Sequence, residues 1–434
     1  MMEKKMPKAT FNFPVGFLWG SATAATCVEG ASPASDWSDW EQQPGHVLDG
    51  SNSGRACEWW AGRWREDFDS AQESNHKALR LSVEWARLQP EPERWDEPAL
   101  DRYREMLIGL KQRGITPMVS LHHYTNPRWF AEIGGWENDQ AAAYFAEYAR
   151  RVVDALKAHC ALWLSFSAPN AYALAAYRAG TFPPGKRDEA VAGKVLVNMA
   201  KAHAAAYEAV HALQSDAQLG FSHIWSGDSG RANAGRDAFP LAFRTGRLEF
   251  GSLRENLPQL KERLDFLGID YFAREESLSA SKKEKRKKRG APDQAAVENV
   301  SESMHIANDP AGLREAIKWG WKFDLPMFIT ANGCDDSRDD YRRSYLAEHV
   351  HALWHMVNFN APVRGYFHWS LTDHFAWERG WSEKFGLWGL DPQTQQRTRR
   401  QSADFYAEIC RTGSLSSDMV EKYCPEVFDK IFPV

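Results

Sequence analysis

Long apolar runs, CxxC pairs and an excess of either charge are all missing from this chain, and each absence closes off a class of function. The six cysteines (Cys27, Cys57, Cys160, Cys334, Cys410 and Cys424) show no CxxC spacing. In a chain of 434 residues they are expected as free thiols rather than a disulfide framework. Fifty-three Lys and Arg stand against 58 Asp and Glu, a net charge of −5, so nothing global points to nucleic acid. No apolar stretch approaches the roughly 20 residues of a membrane-spanning helix. The opening MMEKKMPKATFNF has basic residues but no apolar core after them, so neither a secretory signal nor a membrane anchor is expected, and a cytoplasmic protein is.

What is present is an ordinary globular balance, 43% hydrophobic and 26% charged, with material for a large core. Nineteen Trp is a high count; most are read as packing residues, and some as the wall of a cleft. Apolar strand-like segments alternate with helical ones throughout. Eight strand candidates stand out: Phe17–Thr23, Ala78–Glu84, Thr116–His122, Leu162–Ser167, Gln218–Ile224, Leu264–Phe272, Pro326–Thr330 and Pro362–Trp369. Between the third and fourth, Tyr144, Phe145, Tyr148, Val152, Val153 and Leu156 recur at helical spacing, with Glu147, Arg150 and Arg151 on the other side. Eight such units predict a single (β/α)8 barrel over residues 1–434. One segment departs from the pattern. Residues 281–304 open with a basic run, 282–289, and continue polar without apolar periodicity; a solvated mobile insertion is expected, with an anion-binding or targeting patch as the alternative. After Cys410 the chain reads as helical turns, with Val420, Tyr423, Val427 and Phe428 packing on the barrel.

The stretch Met327-Phe328-Ile329-Thr330-Ala331-Asn332-Gly333 resembles the strand-seven signature I/V-T-E-N-G of glycoside hydrolase family 1, the β-glucosidase family. The resemblance runs along nearly the whole chain. It takes in FPVGFLWGSATAATCVEG at 13–30, ALRLSVEWARLQ at 78–89, PMVSLHHYTNPRWF at 117–130, WLSFSAPN at 163–170, DFLGIDYF at 265–272 and GYFHWSLTDHFAWERGW at 365–381. These motifs are long and in the family's order. They imply the barrel fold and a carbohydrate-active pocket at the carboxyl ends of the strands.

The resemblance also implies where chemistry is missing. Retaining glycosidases need two carboxyl groups roughly 5–5.5 Å apart. The family's acid/base Glu aligns with Ala168 and its nucleophile Glu with Ala331. Loss of an acid alone typically removes on the order of 10²–10⁴ in rate, and loss of the nucleophile closes the covalent route. Sugar-holding positions have changed as well. The family Gln of strand one aligns with Cys27, the Asn before the acid with Ser167, the second Tyr of N-Y-Y with Phe272, the Glu of D-N-F-E-W with Ala376, and that motif's Asn with His374. His123, Trp369, Trp377, Asn332 and Gly333 keep the family residue. A site that loses so many hydrogen-bonding partners cannot stay selective for a sugar. The expectation is an inactive β-glycosidase barrel whose pocket is repurposed, or redesigned, for another small ligand.

Arg80 aligns with the family Arg that pairs with the nucleophile. Buried without a partner it would be costly, so it pairs either with Asp270, where the family has Asn, or with an anionic ligand. Ala168, Ala331, Ala376 and Phe272 would widen and dry the space between Trp369, Trp377 and Trp381, which suits an aromatic or apolar ligand. Two alternatives stay open. One is an enzyme of changed chemistry using Cys27 or His123, with Arg80 steering an anion. The other is a residual hydrolase with relocated carboxylates, although no acid flanks Ala168, and Asp335 and Asp336 lie four and five residues past Ala331. Cys27, His123, His374 and Cys334 are a conceivable metal set, but the spacing is not local and His123 belongs to the family pattern; no metal and no cofactor is expected.

Overall fold

The computed structural model describes residues 8–227, 235–274 and 306–433. Its centre is a closed barrel of eight parallel strands. They are β1 (Leu18–Ala22), β2 (Ala78–Ser82), β3 (Thr116–His122), β4 (Leu162–Phe166), β5 (Gln218–Ile224), β6 (Phe266–Asp270), β7 (Met327–Asn332) and β8 (Val363–Trp369). Strands of a parallel barrel are covered on both faces, so they appear in sequence as short apolar runs rather than alternations. That is why all eight segments could be placed within about two residues of their bounds. Strand β7 runs on to Asn332 because Asn332 still pairs with His368 of β8. The closed sheet leaves no exposed edge.

Helices cover the outside: α1 (Trp64–Glu73), α2 (Glu97–Gln112), α3 (Ala141–Leu156), α4 (Glu189–Leu213), α5 (Ala238–Thr245), α6 (Pro310–Trp321), α7 (Arg342–Asn358) and α8 (Gln401–Thr412). Helices α2, α4 and α6 begin at aspartate caps. Asp96 accepts from Ala99 N, Asp188 from Ala190 N and Val191 N, and Asp309 from Gly312 N. Helix α3 buries Phe145, Tyr148, Val152, Val153 and Leu156. Tyr144, expected on the same face, is 39% exposed; it sits at the stripe's edge, its ring edge-on to Trp129 and Phe130.

The tail packs as anticipated, with Val420, Tyr423, Val427 and Phe428 buried. Just before it, Ser414–Ser416 pairs antiparallel with Thr10–Asn12. The basic segment 281–304 lies outside the described residues. All six cysteines are buried free thiols, and no helix among the described residues is long and apolar enough to cross a membrane.

Candidate functional site

The carboxyl ends of the strands meet in a cavity of about 340 Å³. Ala331, near the end of β7, contributes a methyl group to its wall. The backbone here is held from both sides. Gly333 passes so close to β8 that a Cβ would stand 1.9 Å from the Trp369 carbonyl oxygen, so only glycine fits. Asn332 is buried and satisfied, donating to Tyr271 O and the Tyr345 hydroxyl and accepting from the Tyr366 hydroxyl. Ala168, two residues past β4, is 1% exposed. It sits in the left-handed region at φ 46°, ψ 58°, with its N–H directed at Ser222 O and Oγ, both at 3.1 Å.

Arg80 rises from β2 with its side chain 1% exposed. Its Nη1 donates to Asp270 Oδ1 at 2.9 Å and to Thr330 O at 2.9 Å. Its Nη2 donates to Ser167 Oγ at 2.7 Å and Ser222 Oγ at 3.2 Å. Asp270 is itself filled. Thr330 donates to its Oδ1 and Ser222 to its Oδ2, both at 2.7 Å. Ser120 and Ser167 share a further hydroxyl contact at 2.8 Å. Of the two partners anticipated for Arg80, Asp270 is therefore the one present, and only Nε lacks a partner. Ser167 turns inward to this knot and is not part of the cavity wall, because Arg80 claims its hydroxyl.

The other wall is aromatic and comes largely from the segment after β8. Trp369, Trp377, Phe385, Phe272 and Tyr124 line the space, together with Ala376. Trp381, expected to bound it, is absent from the lining; its backbone N–H donates to Asp49 Oδ2 and Lys384 lies over its ring. Two histidines complete the wall. His374 spends Nδ1–H on the Phe375 carbonyl at 3.0 Å, which leaves Nε2 as a bare acceptor. His123 has Nδ1 unpartnered. Burial, then the neighbouring Arg80 charge, holds His123 well below its ordinary pKa. Burial likewise lowers that of His374. Both rings are neutral near pH 7.

Cys27, anticipated as a pocket residue and a candidate nucleophile, is fully buried and outside the cavity lining. Burial, then the charges of Glu378 and Glu41, pushes its thiol well above the ordinary range, the opposite of what activates a thiolate. Asp335 and Asp336 also serve the backbone. Asp335 accepts from Lys384 N at 2.7 Å, and Asp336 caps α7 at Tyr341 N and Arg342 N. No three His, Cys, Asp or Glu side chains among the described residues come together as metal ligands.

Two glutamates that were not anticipated line the cavity, Glu378 and Glu383. They lie not on the flanks of Ala168 or Ala331 but after Trp377 and Trp381, in the loop that follows β8. The available signal was their place beside the aromatic motif, Glu378 next to Trp377 and Glu383 two residues past Trp381. The Nε of Arg379 lies between them, 3.9 Å from Glu378 Oε1 and 4.0 Å from Glu383 Oε1. Both distances exceed a hydrogen bond. Desolvation, then Asp335, raises Glu383 from an ordinary 4.5 to about 7. Glu378 sits at the rim with its side chain 40% exposed; desolvation raises its pKa, opposed by its own backbone N–H and by the Arg379 charge.

Known proteins share this architecture. A β-glycosidase from Pyrococcus horikoshii superposes with a TM-score of 0.80 at 28% identity, over 96% of this chain and 98% of that one. A family 1 β-glucosidase from Thermotoga maritima gives 0.81 at 26%, over 93% and 99%. In sequence, β-glucosidase A of Thermotoga maritima is 28% identical over 93% of this chain and 98% of its own. The profile of glycosyl hydrolase family 1 matches residues 9–238 and 244–414. With the eight-stranded barrel and the strand-end motifs in place along that whole span, the chain belongs to glycosyl hydrolase family 1.

Proposed function

We propose that this family 1 barrel does not cleave β-glycosides, and that it binds a small molecule with an apolar or aromatic body in the former sugar pocket. The observation that carries this reading is the pair of methyl groups, Ala168 and Ala331, at the ends of β4 and β7, where the family resemblance places the acid/base and the nucleophile. A retaining mechanism needs one carboxyl group on each side of the scissile bond, roughly 5–5.5 Å apart, and an inverting one roughly 6.5–9.5 Å. Glu378 and Glu383 come from the one loop after β8, and neither stands at the end of β4 or β7, the two positions that the resemblance assigns to the catalytic pair. Asp270 is committed to Arg80, Ser222 and Thr330. The satisfied state of Arg80 also argues against an anion as its partner.

The cavity's size and aromatic lining suit a bound organic molecule. Loss of hydroxyl-holding groups at Cys27, Ser167, Phe272 and Ala376 argues against a sugar. The relatives named above are β-glucosidases and a β-glycosidase; the proposal is that this chain shares their barrel and not their turnover. Incubation with nitrophenyl β-glucoside and β-galactoside is expected to give no nitrophenol above the enzyme-free rate, whereas enzyme-dependent release at neutral pH would overturn the proposal. The changed-chemistry alternative through Cys27 is disfavoured by its burial. Iodoacetamide at pH 8 is expected to leave Cys27 unmodified in the native protein and to alkylate it in guanidinium, as read by peptide mass spectrometry.

A further inference from the structure

The polar groups of the cavity are one-sided in character. Arg80 and Asp270 neutralise each other inside their knot. Beyond them, among the described residues, the wall carries the carboxyls of Glu378 and Glu383 with the Arg379 guanidinium near both. The independent observation is His374. It is 2% exposed and lines the same cavity, and its Nε2 is an acceptor with no hydrogen-bond partner. A buried acceptor left bare costs about 1–3 kcal/mol unless something donates to it. The remainder of the lining is aromatic: Trp369, Trp377, Phe385, Phe272 and Tyr124. Indole and phenyl faces carry the negative side of their quadrupole and attract cations. A bare acceptor, two carboxyl groups and aromatic rings converge on one complementary chemistry.

We propose that the cavity takes an organic ammonium ligand, a primary or secondary amine on an aromatic or alicyclic body, with its N–H groups directed to His374 Nε2 and the Glu378 and Glu383 carboxylates and its body against Trp369 and Trp377. The inference rests on the binding reading above and sharpens it to a charge class. Contacts of 3.9 and 4.0 Å to Arg379 leave both carboxylates with lone pairs to spare. Glu383 reinforces the point, since a carboxyl held near pH 7 gives up its proton when a cation arrives beside it.

The test uses three probes that share one body and differ in charge: phenethylamine, 2-phenylethanol and 3-phenylpropionate. Their affinities for the full chain are measured by calorimetry at pH 8. Phenethylamine is expected to bind at least about tenfold more tightly than the alcohol, with the carboxylate weakest. Glu378→Gln/Glu383→Gln, in which shape is kept and charge removed, is expected to erase the preference while still binding 2-phenylethanol; the retained alcohol binding also reports that the variant is folded. Equal binding of amine and alcohol, or tighter binding of the carboxylate, would overturn the ammonium assignment and leave the binding reading standing. An amine preference that survives in the double variant would overturn the roles given to the two glutamates. Failure of all three probes to bind would overturn both readings of the pocket.

Discussion

Two polar clusters border the same cavity, and they differ in how far their groups are satisfied. The Arg80 knot, built from β2, β4, β5, β6 and β7, is closed. Four of its hydrogen bonds come from one guanidinium, and both carboxyl oxygens of Asp270 are engaged. The cluster on the loop after β8 is open. Glu378 and Glu383 meet Arg379 only at long range, and His374 Nε2 has no partner. Buried polar groups that are fully paired stabilise a fold, while those left short of partners destabilise it until a ligand supplies them. The contrast marks the loop after β8, rather than the end of β7, as the place where polar groups short of partners line the cavity.

That contrast can be broken most forcefully at Asp270. Asp270→Ala leaves a guanidinium that is 1% exposed without its counter-ion, and a loss of about 3–5 kcal/mol is expected by urea unfolding. A loss under about 1 kcal/mol would mean that the knot is not closed. The open cluster should respond in the opposite direction. Folded Glu383 keeps its proton up to about pH 7, while the unfolded side chain releases it near 4.5. The folded state therefore binds more protons between these values, and stability falls as pH rises from about 4.5 to 7 and stays reduced above. Glu383→Gln removes that penalty. It is expected to stabilise the protein by about 1–3 kcal/mol at pH 8 and to leave it unchanged at pH 4. Equal effects at both pH values would place the gain in packing rather than charge. The smallest effect belongs to Ala168. A left-handed alanine is strained, and Ala168→Gly is expected to gain about 0.5 kcal/mol after glycine's greater chain entropy is offset. A loss there would show that the methyl group packs usefully at the end of β4.

The barrel was legible in the sequence because each strand is buried on both faces and bounded by breakers. Thr116–His122 and Gln218–Ile224 fall where their apolar runs begin and end. Tyr144 was misplaced because helical spacing marks a stripe but not its edge. The Arg80–Asp270 pair was legible as a charge balance: one buried cation, and one acid standing where the family has an amide. The burial of Cys27 and the inward turn of Ser167 were not, since both depend on which neighbours close over them. Glu378 and Glu383 escaped because loop acids announce no direction. Only the fold of the segment after β8 brings residues 47 and 52 positions past Ala331 to the same cavity.

The proposed inactivity rests on methyl groups standing at the ends of β4 and β7, where an attacking carboxylate is needed. The direct measurement is intact mass spectrometry after prolonged incubation with 2,4-dinitrophenyl 2-deoxy-2-fluoro-β-glucoside, a substrate that traps a glycosyl-enzyme through its slow second step. An unchanged protein mass and no burst of dinitrophenol are expected. A stoichiometric fluoroglycosyl adduct on any Asp or Glu of the cavity would contradict the proposed inactivity.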